Sequence, residues 1–302
     1  MHDEAPPAPL RVGLIGGGPW ASSVHVPGLA DHPGTTLSAI WTRRPEVARE
    51  LAEANGAVAC ADVDELFDAV DAVALAVPPA IQSELGVRAA KAGKHLILEK
   101  PIAADVAGAQ RLADAVTESG VVALVVLTLR YSLQTQEWLS GLAQEGDWSG
   151  GNVRWLSGAL LGDTYGASAW RHEQGALADI GPHAFDLIDA ALGRITRVLS
   201  AHQGANDLWH VLLEHTGGAT STVSMSLRLP VQPTVVEFAV YGEHGFRCLG
   251  RRPGSASESY TAMLDDFAAM IASGTSTHPC DVHRGLHLQR LLAEAHAAAA
   301  RS

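Results

Sequence analysis

From Arg11 onward, short continuously apolar runs alternate with longer segments whose apolar positions recur at helical spacing. "RVGLI", "TLSAIW", "AVAC", "DAVALAV", "HLILE" and "VVALVVL" read as strands, bounded by glycine, proline or polar clusters. Between them, "PEVARELAEANG" carries proline at its start and glycine just past its end, the usual helix asymmetry. "DVDELFD", "AIQSELGVRAAKAG" and "DVAGAQRLADAVTESG" also read as helices. Strands that are apolar on both faces, separated by amphipathic helices, predict an α/β domain with a doubly wound parallel sheet over residues 11–128. The acidic, proline-rich "MHDEAPPAPL" reads as a flexible tail at 1–10.

The pattern changes beyond residue 128. A helix-like "SLQTQEWLSGLAQEG" is followed by strand-type segments at 152–160, 196–203, 208–215, 219–229 and 234–241, some with polar/apolar alternation as in "ATSTVSMSL". The segment "GALADIGPHAFDLIDAALG" is helical by periodicity, and two more helix-like stretches lie near 259–273 and 282–299. Few helices among many strands predict an α+β domain over 129–302 built on a largely antiparallel sheet.

Composition narrows the function. A chain of 302 residues favours two domains, and 47% hydrophobic residues supply the cores. The net charge of −12 argues against nucleic acid or an anionic membrane as partner. Cys60, Cys248 and Cys280 are widely spaced, which suggests a reducing compartment and no cysteine zinc site. His278, Asp281 and His283 include metal-ligand types without zinc spacing, so no metal is expected. The start lacks the pattern of a signal peptide, and the longest apolar runs are too short to span a bilayer, so a cytoplasmic protein is expected.

Gly16-Gly17-Gly18-Pro19-Trp20-Ala21 fits G-x-G-x-x-G/A, directly after a strand and before a helix. Gly16 would permit the tight turn, Gly18 would let a pyrophosphate approach the backbone, and Ala21 would allow close helix–strand packing. Trp20 is a candidate to pack beside the cofactor or to cap the helix, and His25 reads as packing only. Strand two ends in Thr42-Arg43-Arg44, with no carboxylate before Glu46. A hydroxyl and two guanidiniums suit a ribose 2′-phosphate, which favours NADP(H), with NAD(H) possible.

Lys100 follows the fifth strand, and ligands of open α/β sheets bind at strand carboxyl ends. The glycine turn, Val77-Pro78-Pro79 after strand four, and Ala92-Gly93-Lys94-His95…Glu99-Lys100-Pro101 together resemble the Gfo/Idh/MocA oxidoreductase family. Trp170-Arg171 and Gly175…Asp179-Ile180-Gly181-Pro182-His183…Asp186 resemble that family's G-x-x-x-D-x-G-x-H-x-x-D helix. The resemblance implies a Rossmann domain, a C-terminal open-sheet domain and NAD(P)-dependent interconversion of hydroxyl and carbonyl on sugars or cyclitols. It also implies a homodimer or homotetramer, and a proline after the lysine that often has a cis bond. By the same matching, Lys100, Asp179 and His183 become the catalytic candidates. Gly16, Gly18, Pro19, Trp20, Thr42, Arg43, Arg44, Val77, Pro78, Glu99, Lys100 and Arg171 become the cofactor-binding candidates. The chain departs from the family pattern at Gln82 and Ser83, where histidine is frequent, and at Leu127–Tyr131, where asparagine is common.

Asp179 and His183 are four apart, so on one helix they would share a face. A histidine titrates near neutrality and suits general acid/base work, while a lysine ammonium can stabilise charge developing on a carbonyl oxygen. Asp179 would orient the substrate or His183, and Asp186 would support the helix. Two rival readings use the same fold: a cofactor-retaining glycoside hydrolase, and an NAD(P)-sensing regulator without catalysis.

Overall fold

The structure, a computed structural model, describes residues 8–162, 169–250 and 254–301; the expected tail at 1–10 falls largely outside them. The chain forms two compact units, one of residues 1–126 with 256–283 and one of 127–255 with 284–302. The late segment 256–283 therefore packs with the first unit, where the sequence reading had continued the second domain to the end.

In the first unit six parallel strands take the order β3-β2-β1-β4-β5-β6. They are β1 Leu10–Ile15, β2 Thr35–Trp41, β3 Val58–Ala59, β4 Ala72–Leu75, β5 His95–Leu98 and β6 Ala123–Val125. Their interiors (Val12, Leu14, Ile40, Val73, Leu96, Ile97) are fully shielded from solvent, as unbroken apolar strands under helices on both faces require. Helices Pro45–Asn55, Val63–Ala69, Pro79–Lys91 and Val106–Ser119 connect the strands. Asp62 and Asp105 cap two of them by accepting backbone N–H bonds. Helix Ala256–Ser273 joins this unit from far along the chain, burying Tyr260 and Phe267.

In the second unit a six-stranded sheet has the order β12-β11-β7-β10-β9-β8. It is built from β7 Trp148–Leu156, β8 Ile195–Gln203, β9 Trp209–His215, β10 Thr220–Ser226, β11 Val235–Gly242 and β12 Gly245–Gly250. Four pairings are antiparallel and the β7–β10 pairing is parallel, so the sheet is mixed and mostly antiparallel. Helix Gly181–Leu192 lies on one face: a Cβ on Gly151 of β7 would stand 3.1 Å from Ile188 and 3.2 Å from Leu192.

Candidate active site

All strands of the first sheet run the same way, so the segments leaving β1, β2, β4 and β5 emerge on one edge. The order reverses between β1 and β4, the switch point at which open α/β sheets take ligands. Gly16 sits there with φ +129°, and any Cβ would lie 2.3 Å from the Ala76 carbonyl oxygen. Gly17 packs on Val47 and Thr42. Gly18 is exposed, and nothing lies within 4 Å of where its Cβ would be. One flank of the loop is thus open down to the backbone, the fit a dinucleotide pyrophosphate needs.

The chain then enters a π-helical turn, Ala21–His25, before the α-helix Val26–Asp31. This widened turn was not foreseen from the sequence; such turns recur at functional sites. It carries the buried His25 ring to Glu99, with Nε2 2.8 Å from Oε1. The Trp20 indole N–H donates to the same oxygen at 2.7 Å.

Glu99, Lys100 and Pro101 make a corner at the carboxyl end of β5, and the Lys100–Pro101 bond is cis, as the resemblance implied. The buried Gln82 clamps this corner. Its Oε1 accepts from the Glu99 N–H at 2.8 Å, and its Nε2 donates to the Glu99 carbonyl at 2.6 Å and the Pro101 carbonyl at 3.3 Å. Gln82 was noted only as a departure from the family pattern; nothing local reveals that its amide reaches a segment 17 residues later.

Thr42 is buried, and its hydroxyl donates to the Arg44 carbonyl at 2.5 Å while accepting from the Arg44 N–H at 3.2 Å. Its donor is thus spent on its own turn, and Arg43 and Arg44 are the exposed groups at this strand end. Val77 is half-buried and Pro78 exposed at the start of helix Pro79–Lys91.

In the second unit the helix expected through Asp179 and His183 is interrupted at two points, Gly175 at its start and Ile180 between the two residues. Gly175 breaks helix Ala169–Asp179 with φ 66° and ψ −160°. A second interruption, of the hydrogen-bond ladder only, falls at Ile180, whose backbone stays right-handed helical (φ −92°, ψ −39°), between the helix ending at Asp179 and the one that carries His183 in its first turn. The physical cause is Pro182, which has no N–H to give Ala178 and so ends the i→i−4 ladder. The His183 and Ala184 N–H groups both donate to the Ile180 carbonyl at 3.0 Å.

The first break is held by Asp207, which sequence reasoning did not single out. Its carboxylate accepts from the Ala176 N–H at 2.5 Å, the Trp209 indole at 2.8 Å and Gln203 Nε2 at 3.0 Å. Asn206 and Asp207 both occupy left-handed backbone, with φ 57° and 53°. At Gly175 a Cβ would lie 2.5 Å from the same carboxylate.

Arg171 donates from Nε to Asp179 Oδ2 at 3.2 Å, and its guanidinium lies over the Trp170 ring at 4.7 Å. The buried His183 ring stacks on Trp155, centroids 6.0 Å apart and planes 26° from parallel. Asp186 supports the helix from a buried ion cluster. Its Oδ1 accepts from Arg284 Nε at 2.6 Å and Arg130 Nη1 at 3.1 Å. Arg284 also donates to Asp189 at 2.8 Å, and His287 lies 2.8 Å from the other Asp189 oxygen. Burial pushes the Asp189 carboxyl up, but His287 and Arg284 outweigh it and hold the group below the usual carboxylate range. Among the described residues, no group of three or more metal-ligating side chains could hold an ion, and no helix is long and apolar enough to cross a membrane.

A parallel sheet with a glycine turn at its switch point and a clamped lysine corner on the same edge defines a dinucleotide-binding unit of the Rossmann class. A family model described as an oxidoreductase family with an NAD-binding Rossmann fold matches residues 10–127, and one described as a GFO/IDH/MocA C-terminal domain matches 148–246. The chain belongs to the Gfo/Idh/MocA oxidoreductase family.

Among curated proteins it is 34% identical over 199 residues to a dTDP-3,4-didehydro-2,6-dideoxy-alpha-D-glucose 3-reductase of Streptomyces violaceoruber. That match covers 64% of this chain and 57% of the reductase, so little over half of that relative's length is spanned. Among solved structures, a levoglucosan dehydrogenase in complex with NADH and levoglucosan superposes with TM-score 0.84 at 21% identity, covering 97% of this chain and 98% of that one. A 3-ketoreductase from Actinomadura kijaniata, in complex with NADP and TDP-benzene, superposes with TM-score 0.79 at 20% identity over 96% of this chain and 98% of that one.

Proposed function

We propose that this protein is a nicotinamide-dependent oxidoreductase interconverting a secondary hydroxyl and a carbonyl on a sugar, cyclitol or related small cyclic compound. The observation that carries the reading is the Glu99-Lys100-Pro101 corner, clamped on the sheet edge that also bears the open glycine loop. The curated reductase is named for a sugar substrate, and the levoglucosan dehydrogenase was solved with an anhydrosugar, which supports the substrate class.

Gly16, Gly18, Pro19 and Trp20 hold the dinucleotide from the β1 side, with Val77 and Pro78 from the neighbouring strand end. The exposed guanidiniums of Arg43 and Arg44 support NADP(H) over NAD(H). When bound, the nicotinamide supplies or accepts the hydride. Lys100 donates a hydrogen bond to the reacting oxygen and stabilises its developing negative charge. His183 gives that oxygen its proton in reduction and removes it in oxidation. The stack on Trp155 fixes the plane of the imidazole, and Asp179, paired with Arg171, orients the substrate hydroxyl or the ring.

A substrate panel followed at the reduced-nicotinamide absorbance tests the activity. Lys100→Ala and His183→Ala should each keep dinucleotide binding and lose turnover by about 10²–10⁴-fold; near-normal rates in both reject the assignment. Arg43→Ala should weaken NADPH by about tenfold and leave NADH unchanged, consistent with one lost charge-assisted hydrogen bond. A cytoplasmic homodimer or homotetramer built on the second sheet belongs to the same proposal. The exposed cross-strand pair Tyr241 and Phe246 on β11 and β12 supports it, and light scattering tests it.

A further inference from the structure

We propose that Tyr260, His25, Glu99 and Trp20 form one hydrogen-bonded relay that sets the position of the glycine loop and thereby the affinity for the nicotinamide dinucleotide. Tyr260 and His25 act in it as positioning residues. The proposal rests on the reading of that loop as the dinucleotide site.

The relay is continuous within the first unit. Tyr260 Oη lies 2.9 Å from His25 Nδ1, His25 Nε2 lies 2.8 Å from Glu99 Oε1, and Trp20 Nε1 lies 2.7 Å from that same oxygen. Both inner rings are completely buried and meet edge to face at 4.8 Å.

Donor and acceptor chemistry gives the relay a consistent order. An indole N–H can only donate, so the Glu99 oxygen accepts from Trp20. With a neutral His25 imidazole, a proton on Nε2 faces the Glu99 carboxylate and the Nδ1 lone pair accepts from the Tyr260 hydroxyl. Burial, and then the charge of Glu99, raise the Tyr260 ionisation well above its ordinary value, so that hydroxyl remains a donor. A phenylalanine would fill the same space without the cost of burying a hydroxyl. The fold also makes room for this contact: a Cβ on Gly28 would lie 2.4 Å from the Tyr260 ring.

The two sides of the relay are held unequally. Glu99 is anchored because Gln82 bonds both its N–H and its carbonyl. Trp20 follows an exposed glycine and proline. Tension or slack in the relay therefore falls on the loop rather than on the Lys100 corner. Removing a hydroxyl at Tyr260, which reaches the loop only through His25, should be felt as weaker dinucleotide binding.

The test is calorimetric titration of NADPH and NADH into the full chain, its Tyr260→Phe and Trp20→Phe variants and the double variant, with thermal melts of each unliganded protein. Each single variant should weaken binding by about 3–10-fold, and the double variant should be scarcely worse than the weaker single one, because the same relay is already cut. Unchanged affinities accompanied by a lowered Tm would make the array a structural feature only and overturn the proposal. Losses that simply multiply in the double variant would overturn the coupling. A wild-type protein that bound neither dinucleotide would reject the cofactor reading itself, whereas tight binding indifferent to both substitutions rejects the relay alone.

Discussion

The two units solve one problem in different ways. Each must hold a candidate catalytic side chain at a place where regular structure stops: Lys100 just past β5, and His183 just past the break at Ile180. In the first unit the support of the Lys100 corner is an amide clamp, Gln82 bonded to the backbone of Glu99 and Pro101. In the second unit the support beneath the His183 helix is ionic, with Asp186 and Asp189 facing Arg284 and Arg130. Removing one partner of a neutral hydrogen bond leaves an unsatisfied group, costing about 1–3 kcal/mol. Removing one partner of a buried ion pair strands a charge and costs about 3–5 kcal/mol. The second unit should therefore be the more fragile to truncation and to acid, and the first the more sensitive in its geometry.

Arg284→Ala is the strongest way to break this contrast. It should destabilise the protein by about 3–5 kcal/mol in urea unfolding, since Asp186 and Asp189 both lose their shared partner. A loss below about 1 kcal/mol would mean that the cluster is well solvated and no different in kind from a surface pair.

Acid separates the units next. The Asp189 carboxyl is depressed in the folded state, so its stabilisation is present above the ordinary carboxylate range and is lost as pH falls through the lower, folded value. Tm should fall as the solution is taken below about pH 4, and Asp189→Asn should flatten that fall. A variant with the wild-type slope would assign the acid response elsewhere.

Gln82→Ala sharpens the comparison from the other side. It removes three hydrogen bonds to the Lys100 corner at about 1–3 kcal/mol of stability. Because it releases the corner directly and reaches the glycine loop only through Glu99, kcat should fall more steeply than dinucleotide affinity. Equal losses in both would show that the corner and the loop move together.

The smallest effect is expected at Asp207. Replacing this cap by alanine should cost about 0.5–2 kcal/mol and lower kcat through the Asp179 segment, with dinucleotide binding untouched. Asp207→Asn, which keeps an acceptor for the Ala176 N–H, should recover part of the loss.

The parallel sheet was legible because its strands are apolar on both faces and its helices carry local start and stop signals, as at Pro45 and Gly56. The mixed sheet was legible in outline. β12 was missed because Gly245–Gly250 is short, glycine-flanked and without alternation long enough to register. The break at Ile180 was missed because apolar periodicity continues straight through it, although the Gly181-Pro182 pair was a visible warning. Lys100, Asp179 and His183 stood out through motif order. Their supports did not: Gln82, Asp207, Arg284 and Tyr260 act through side-chain reach across 17 to 235 residues, a property of topology that no local window contains.

The return of residues 256–283 to the first unit sets a timetable for synthesis. A ribosome delivers the glycine loop, the Lys100 corner and all six parallel strands by residue 126, yet Tyr260 and the Asp281 backbone that bridges to Leu124 emerge only after the whole second sheet. Until then the edge of β6 and the inner nitrogen of His25 have no protein partner from the 256–283 segment. The nucleotide half of this molecule is begun before the second sheet and completed only after it, so a fragment cut at residue 128 is an unfinished domain rather than a separable one.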